Sequence, residues 1–129
     1  ISSNDDERAE GFAGISSAYF KSNKINQAIE YGVKASTTYQ RTGKLSQYAD
    51  MQLTLASYES INANYPRAIR LLQSIESFAR TNGSKYYEAK ALLAIADVYD
   101  ASKQLLLATE VRSKGKDLAE SIGADDLLR

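Results

Sequence analysis

The stretch "ARTNGSKYYEA" at residues 79–89 joins two helical patterns around Gly83. A similar stretch, "QRTGKLSQYA" at residues 40–49, contains Gly43. Gly123 continues the series, because 83−43 and 123−83 both equal 40. Glycine readily adopts the left-handed backbone conformation that ends many helices. The three glycines therefore predict three equivalent corners and an internal repeat of 40 residues.

Further columns of residues keep the same spacing. Two columns are invariant alanines, one is aliphatic, and one contains only small residues. These are Ala28, Ala68 and Ala108; Ala9, Ala49 and Ala89; Ile15, Leu55 and Ile95; and Ser16, Ala56 and Ala96. Agreement of several columns in one register indicates repetition rather than chance.

Each unit contains two helical patterns. In the first unit, a set of residues at i, i+3, i+4 and i+7 shares one helix face. This set is Phe12, Ile15, Ser16 and Tyr19. A second apolar face follows within residues 25–35. No long stretch alternates with period two, so no β-strand is predicted.

The segment "SSNDDE" at residues 2–7 offers N-cap residues and acids for a first helical turn. Pro66, the single proline, is placed where a helix tolerates it, in a first turn. A helix pair cannot bury its apolar faces alone, so neighbouring units must stack. The predicted fold is an all-α superhelix of three two-helix units, about six helices in all. The predicted units are about 4–43, 44–83 and 84–123, and residues 124–129 are predicted to start a further helix.

Composition excludes several classes of protein. With 16 basic and 16 acidic residues, the formal net charge is zero, which argues against a partner that is a nucleic acid or a membrane surface. No apolar run is long enough to insert into a membrane. The chain has no Cys and no His, so thiolate, imidazole and Cys/His zinc chemistry are excluded, and no cofactor or metal is expected. Cytoplasm and periplasm are both compatible with this composition.

The chain begins with Ile rather than Met, which suggests a single repeat domain taken from a larger protein.

The order of residue types within a unit resembles the tetratricopeptide-repeat (TPR) family over nearly the whole chain. The pattern has a large apolar residue, an aliphatic–small pair and an aromatic residue, followed by two small residues in the second helix. In the first unit these are Phe12, Ile15, Ser16, Tyr19, Ala28 and Ala35. The second unit departs from the pattern at Gln52, Glu59 and Ile75. The 40-residue period is similar to the longer units found in bacterial signalling proteins.

The resemblance implies a binding site for a protein or peptide segment on a concave surface formed by the first helix of each unit. Helix geometry places residues opposite the Ile15, Leu55 and Ile95 contact face on that surface. The candidates are Glu10, Ser17, Phe20, Lys21, Asp50, Leu53, Ser57, Lys90, Leu93, Asp97 and Asp100. The apolar members, Phe20, Leu53 and Leu93, favour an amphipathic or extended segment as the partner.

Some members of the family hold a partner's C-terminal carboxylate with Lys, Asn and Arg. At the matching places this sequence has Ala13, Ser17, Thr54 and Ala94, and only Lys90 supplies a positive charge. A carboxylate clamp is therefore not expected.

Catalysis is not expected either. Asp97 and Asp100 lie at i, i+3, but nothing nearby supplies a nucleophile or an oxyanion donor. The main hypothesis is a non-catalytic interaction scaffold of a larger bacterial signalling protein. The alternatives are a spacer or dimerisation element coupled to an output domain, and a sensor of a small signalling peptide.

Charge is uneven along the chain. Residues 5–10 have a net charge of −3 and residues 67–90 have a net charge of +3. One hypothesis is that these regions attract each other, either at the ends of a longer solenoid or between two chains, and such self-association should weaken as salt is added.

Overall fold

Six α-helices follow one another along the chain in the structure, a computed structural model that describes residues 3–129. Each of the last five is 17 residues long and is separated from the next by a three-residue corner. The helices are α1 (Ser3–Lys21), α2 (Ile25–Arg41), α3 (Leu45–Ile61), α4 (Tyr65–Thr81), α5 (Lys85–Ala101) and α6 (Leu105–Ser121), followed by a 3-10 helix, Asp125–Leu128. No β-strand lies within residues 3–129. The six predicted helices and the all-α class are confirmed.

All corners share one backbone geometry, and it recurs every 20 residues. At Gly43, Gly83 and Gly123 the backbone is left-handed, with φ between 67° and 72°. The corners inside the units are left-handed too, at Asn23 (φ 61°), Ala63 (φ 58°) and Lys103 (φ 65°). Each corner closes with the paired hydrogen bonds of a Schellman motif. The structural period is therefore half the period seen in the sequence.

The helix starts agree with the sequence signals. Asp5 and Asp6 lie in the first turn of α1, and the N-cap predicted before it falls partly outside the described residues. Pro66 lies in the first turn of α4, where its missing N–H leaves no helical hydrogen bond unmade.

Small residues allow the two helices of a unit to approach closely. Ser16 Oγ donates a hydrogen bond of 2.5 Å to the backbone oxygen of Ala28, and both residues are buried. Gly32 serves the contact between units, because a Cβ built there would lie 2.6 Å from Leu55 Cδ2. The small-residue column thus corresponds to real helix–helix contacts.

Two of the second unit's three departures from the repeat pattern, Gln52 and Glu59, are buried polar groups that find partners. Gln52 accepts a hydrogen bond from Ser36 Oγ (2.5 Å) and donates one to the backbone oxygen of Leu71 (3.3 Å). Glu59 Oε2 lies 3.3 Å from Arg67 Nη1. Among the described residues, no buried side-chain nitrogen or oxygen lacks a partner. These pairings remove the usual cost of burying polar side chains.

Ile15 was predicted to share a contact face with Leu55 and Ile95, and that prediction is wrong for Ile15. Its side chain is 42% exposed, whereas Leu55 is 0% exposed and Ile95 4%. Leu55 packs against α2, but no described helix precedes α1 in the equivalent place. The repeat register therefore identifies a contact position, and a neighbouring unit is needed to bury it.

Each helix packs against the helices before and after it in sequence, and α3 also contacts α5. The odd-numbered helices therefore form one layer and the even-numbered helices the other. None of the helices within residues 3–129 is long and apolar enough to cross a membrane.

Candidate partner-binding groove

Two neighbouring clefts open on the layer of odd-numbered helices, and together we call them the inner groove. The α1–α3 cleft lies between the first two helices of this layer, and the α3–α5 cleft lies between the next two. Cavity volumes are about 360 Å³ and about 280 Å³. This is the layer in which the sequence placed a partner site.

The α1–α3 cleft has several polar side chains beside apolar surface and includes two of the predicted residues, Ser17 and Asp50. Hydroxyl, amide and carboxylate groups supply most of its polar lining, and Met51 and Ala13 supply apolar surface. The lining residues are Ala13, Ser16, Ser17, Tyr39, Gln47, Asp50, Met51, Thr54 and Tyr58.

The α3–α5 cleft is mainly apolar and includes three of the predicted residues, Leu53, Ser57 and Asp97. Its walls are built from small side chains, which leave room for a larger side chain from a partner. The lining residues are Leu53, Ala56, Ser57, Ser60, Leu72, Ala94, Asp97, Val98 and Ala101.

The remaining candidates on α1 border the first cleft without lining it. Glu10 is exposed about two turns before Ser17, and Lys21 is exposed in the last turn. Phe20 stacks on Tyr58 of α3, with ring centroids 4.5 Å apart and an interplanar angle of 15°. Phe20 therefore ties α1 to α3 in addition to presenting an edge to solvent.

On α5, several candidates are engaged by other residues of the chain. Lys90 Nζ lies 5.9 Å and 5.8 Å from the ring centroids of Tyr86 and Tyr87. Leu93 is half-buried, and its Cδ2 would lie 2.9 Å from a Cβ built at Gly115 of α6. These two side chains pack within the third unit rather than standing free in the groove.

Asp97 and Asp100 both accept hydrogen bonds from the guanidinium of Arg112 on α6, at 3.2 Å for Asp97. The two carboxylates raise the pKa of Arg112 through these hydrogen bonds. The two carboxylates and Arg112 therefore form an ion-pair network within the third unit. Arg112 was not found from sequence, although it takes the column of Gly32 and Leu72 and so breaks an apolar series.

Tyr39 is a groove residue that the sequence did not identify. The ring is buried, with 8% of the residue exposed, and it lines the α1–α3 cleft. Burial raises the pKa of the Tyr39 phenol, and the negative charges of Glu10 and Asp6 raise it further. Its hydroxyl makes no hydrogen bond within residues 3–129. Tyr39 lies on α2 rather than on an odd-numbered helix. A buried aromatic residue there has no sequence pattern that distinguishes it from a core residue.

Two larger clefts, of about 400 Å³ and about 510 Å³, open between the even-numbered helices on the other layer. The acidic residues that line these clefts are all paired with basic residues: Glu59 with Arg67 in the first, and Glu76 and Glu88 with Arg80 in the second. We therefore favour the inner groove despite its smaller volume. Within the described residues, no cluster of three or more Asp or Glu side chains could hold a metal ion.

Two solved structures have the same arrangement of helices. The TPR domain of FLU from Arabidopsis superposes with a TM-score of 0.76 at 14% sequence identity, over 91% of this chain and 98% of that chain. The N-terminal domain of stress-induced protein-1 (STI-1) from C. elegans superposes with a TM-score of 0.71 at 13% identity, over the whole of both chains. The chain has the tetratricopeptide-repeat fold. No protein-family model matches the sequence, and no curated protein matches it either.

The TPR fold is built here from units longer than the usual length of about 34 residues. A unit consists of two 17-residue helices and two three-residue corners, which accounts for the period of 40. The expected TPR architecture is therefore confirmed at the level of fold.

Proposed function

We propose that this TPR module is a non-catalytic scaffold whose inner groove binds a segment of a partner protein. The observation that carries the proposal is the pair of adjacent clefts between α1, α3 and α5. Recognition sites for segments are usually concave and combine apolar walls with a few polar groups that fix orientation. The inner groove has this combination, since the α3–α5 cleft is mainly apolar and the α1–α3 cleft adds more polar side chains to its apolar surface.

The α3–α5 cleft offers the sharper test of groove binding, because Ser57 is exposed there. A selection of randomised peptides displayed on phage against the whole chain supplies the ligands. Ser57→Trp fills the cleft, and we expect it to weaken binding of the selected peptides at least 10-fold. Ser77→Trp is the matched control, because Ser77 is exposed on α4 in the other layer. The control should bind as tightly as the original chain.

Both variants should keep the original melting temperature, since both serines are exposed. Peptides that bind Ser57→Trp as tightly as the original chain would place the site elsewhere. Equal loss in both variants would indicate a general effect of tryptophan rather than a groove.

We also propose that the module belongs to a larger bacterial signalling protein. The 40-residue period is the one observation that supports this part of the proposal. A peptide sensor would be distinguished by a rise in melting temperature with short peptides, because a ligand that binds only the native state stabilises it. A dimerisation element would be distinguished by sedimentation as a dimer that dissociates as salt is added. A scaffold that captures a segment should remain monomeric without its partner.

A further inference from the structure

We propose that the α1–α3 cleft binds a cationic side chain, Lys or Arg, and that the α3–α5 cleft binds a large apolar side chain of the same segment. This inference rests on the proposed groove function and adds the chemical class of the partner.

The rim of the α1–α3 cleft carries uncompensated negative charge. Asp50 lines the cleft and is exposed, and Glu10 is exposed on the facing helix. Within residues 3–129, neither carboxylate lies within salt-bridge distance of a Lys or Arg. Another acid on α1, Asp5, is already shared by Arg8 and Arg41, at 3.8 Å and 3.7 Å. A cation entering the cleft would therefore meet free carboxylates rather than competing positive charge.

Tyr39 supplies a hydroxyl to the lining of this cleft. Most of the residue is buried, but its hydroxyl is open to solvent and makes no hydrogen bond among the described residues, so it is available to a partner. A phenol oxygen can accept a hydrogen bond from an ammonium or guanidinium group. The charges of Glu10 and Asp6 already act on this hydroxyl, since they raise the pKa of Tyr39 after the larger effect of burial. An anionic side chain would be repelled by the same charges.

The neighbouring α3–α5 cleft is more apolar. Leu53, Ala56 and Val98 form apolar walls, and Asp97 at the rim is already paired with Arg112. Covering a Leu, Met or Phe side chain there is favourable because it removes apolar surface from water. A cationic side chain in this cleft would have to compete with Arg112 for Asp97.

The separation of the two clefts sets the spacing of the two side chains. The two clefts lie on either side of α3, and a helix with its side chains is about 10–12 Å in diameter. An extended segment rises about 3.3 Å per residue, so about three residues span one helix spacing. The partner is therefore an extended segment with a Lys or Arg about three residues from a large apolar residue.

The test uses the peptides selected on the whole chain. We expect enrichment of Lys or Arg three residues from Leu, Met or Phe. Asp50→Asn should weaken binding of such a peptide about 10-fold and should reduce the salt dependence of its affinity. Asp117→Asn is the matched control, because Asp117 is exposed on α6 and is remote from the inner groove. It should leave the affinity unchanged.

Tyr39→Phe removes only the hydroxyl. We expect a several-fold loss of affinity for the cationic peptide and no loss of stability, because no hydrogen bond of the free chain is broken. Replacing the peptide's basic residue with Gln should remove the effect of both chain variants, which a merely structural role of Tyr39 or Asp50 would not do.

The outcomes distinguish failure of the cationic class of partner from failure of groove binding. Selected peptides that depend on Ser57 but carry no basic residue, or that ignore Asp50→Asn, would overturn the cationic class and leave groove binding intact. Absence of any enriched peptide, together with a dimer that Ser57→Trp dissociates, would show that a second copy occupies the groove and would overturn both. Enrichment of acidic residues would contradict the charge complementarity directly.

Discussion

At the residue scale, Ala63 is held in a backbone conformation that suits glycine. Its φ is 58°, and it is the left-handed residue of a Schellman motif in which Asn64 N–H donates to Glu59 O at 2.8 Å. A left-handed conformation costs a residue with a Cβ roughly 1–2 kcal/mol. Part of the gain from glycine is lost to the greater entropy of the unfolded chain. We expect Ala63→Gly to raise the free energy of unfolding by up to about 1 kcal/mol, measured as a melting temperature a few degrees higher.

The equivalent corner one helix later supplies the control. Gly83 has a φ of 72°, so Gly83→Ala should lower the melting temperature by a similar amount. If Ala63→Gly left the melting temperature unchanged while Gly83→Ala lowered it, the corner at Ala63 would not carry the strain that its φ indicates.

Tyr86 gives a pH-dependent prediction at the same scale. Its hydroxyl donates a hydrogen bond of 2.6 Å to Asp126 Oδ2, and this hydrogen bond, aided by burial and the charge of Asp126, raises the pKa of Tyr86 from 10.0 to about 12. A group whose pKa is higher in the folded state stabilises the fold below its unfolded pKa. The contribution of Tyr86 should therefore be complete below pH 10 and should disappear as the pH rises toward 12.

Asp126→Asn removes the negative acceptor, and we expect the pKa of Tyr86 to return toward that of an ordinary tyrosine. The measurement is an NMR titration of the tyrosine ring carbons, with Tyr86→Phe used to assign the signal. An unchanged midpoint in Asp126→Asn would show that the hydrogen bond does not form in solution.

At the scale of helices and corners, the sequence predicted three of the six left-handed corner residues. Three corners can be identified in the sequence because glycine favours positive φ, and these lie at Gly43, Gly83 and Gly123. Asn23, Ala63 and Lys103 occupy the same geometry without a shared residue type, so the 20-residue period was not visible. Tertiary packing imposes these corners: each connects two helices whose length is fixed by the stack.

The contact between α3 and α4 tests the alanine column that contains Ala68. Ala68 is 0% exposed and belongs to the same buried cluster as Ala56 and Leu72. Ala68→Leu adds volume where the helices touch, and such overpacking costs roughly 1–3 kcal/mol. We expect a lower melting temperature and a lower midpoint of urea unfolding. Ser77→Leu, an exposed change on the same helix, should leave both nearly unchanged.

At the scale of the whole molecule, fold and site were not equally predictable. The fold is predictable because every unit repeats the same contact positions. The groove residues do not repeat in this way, since one column contains residues of different charge: Glu10, Asp50 and Lys90. Only the structure shows that Lys90 packs over two rings. Contacts between layers, such as those of Arg112 and Tyr39, depend on geometry that no local pattern encodes.

A stack in which each unit contacts only its neighbours should be least stable at its ends. Ile15 on α1 and Leu106 on α6 are 42% and 89% exposed, whereas Leu55 in the centre is 0% exposed. We expect backbone amides of α3 and α4 to exchange with solvent most slowly, and those of α1 and α6 most rapidly. Leu55→Ala would leave a cavity at the α2–α3 contact, at a cost of about 2–5 kcal/mol. Exchange should then accelerate more in α1 and α2 than in α5 and α6, as measured by mass spectrometry. Equal acceleration in all six helices would show instead that the chain unfolds as one cooperative unit.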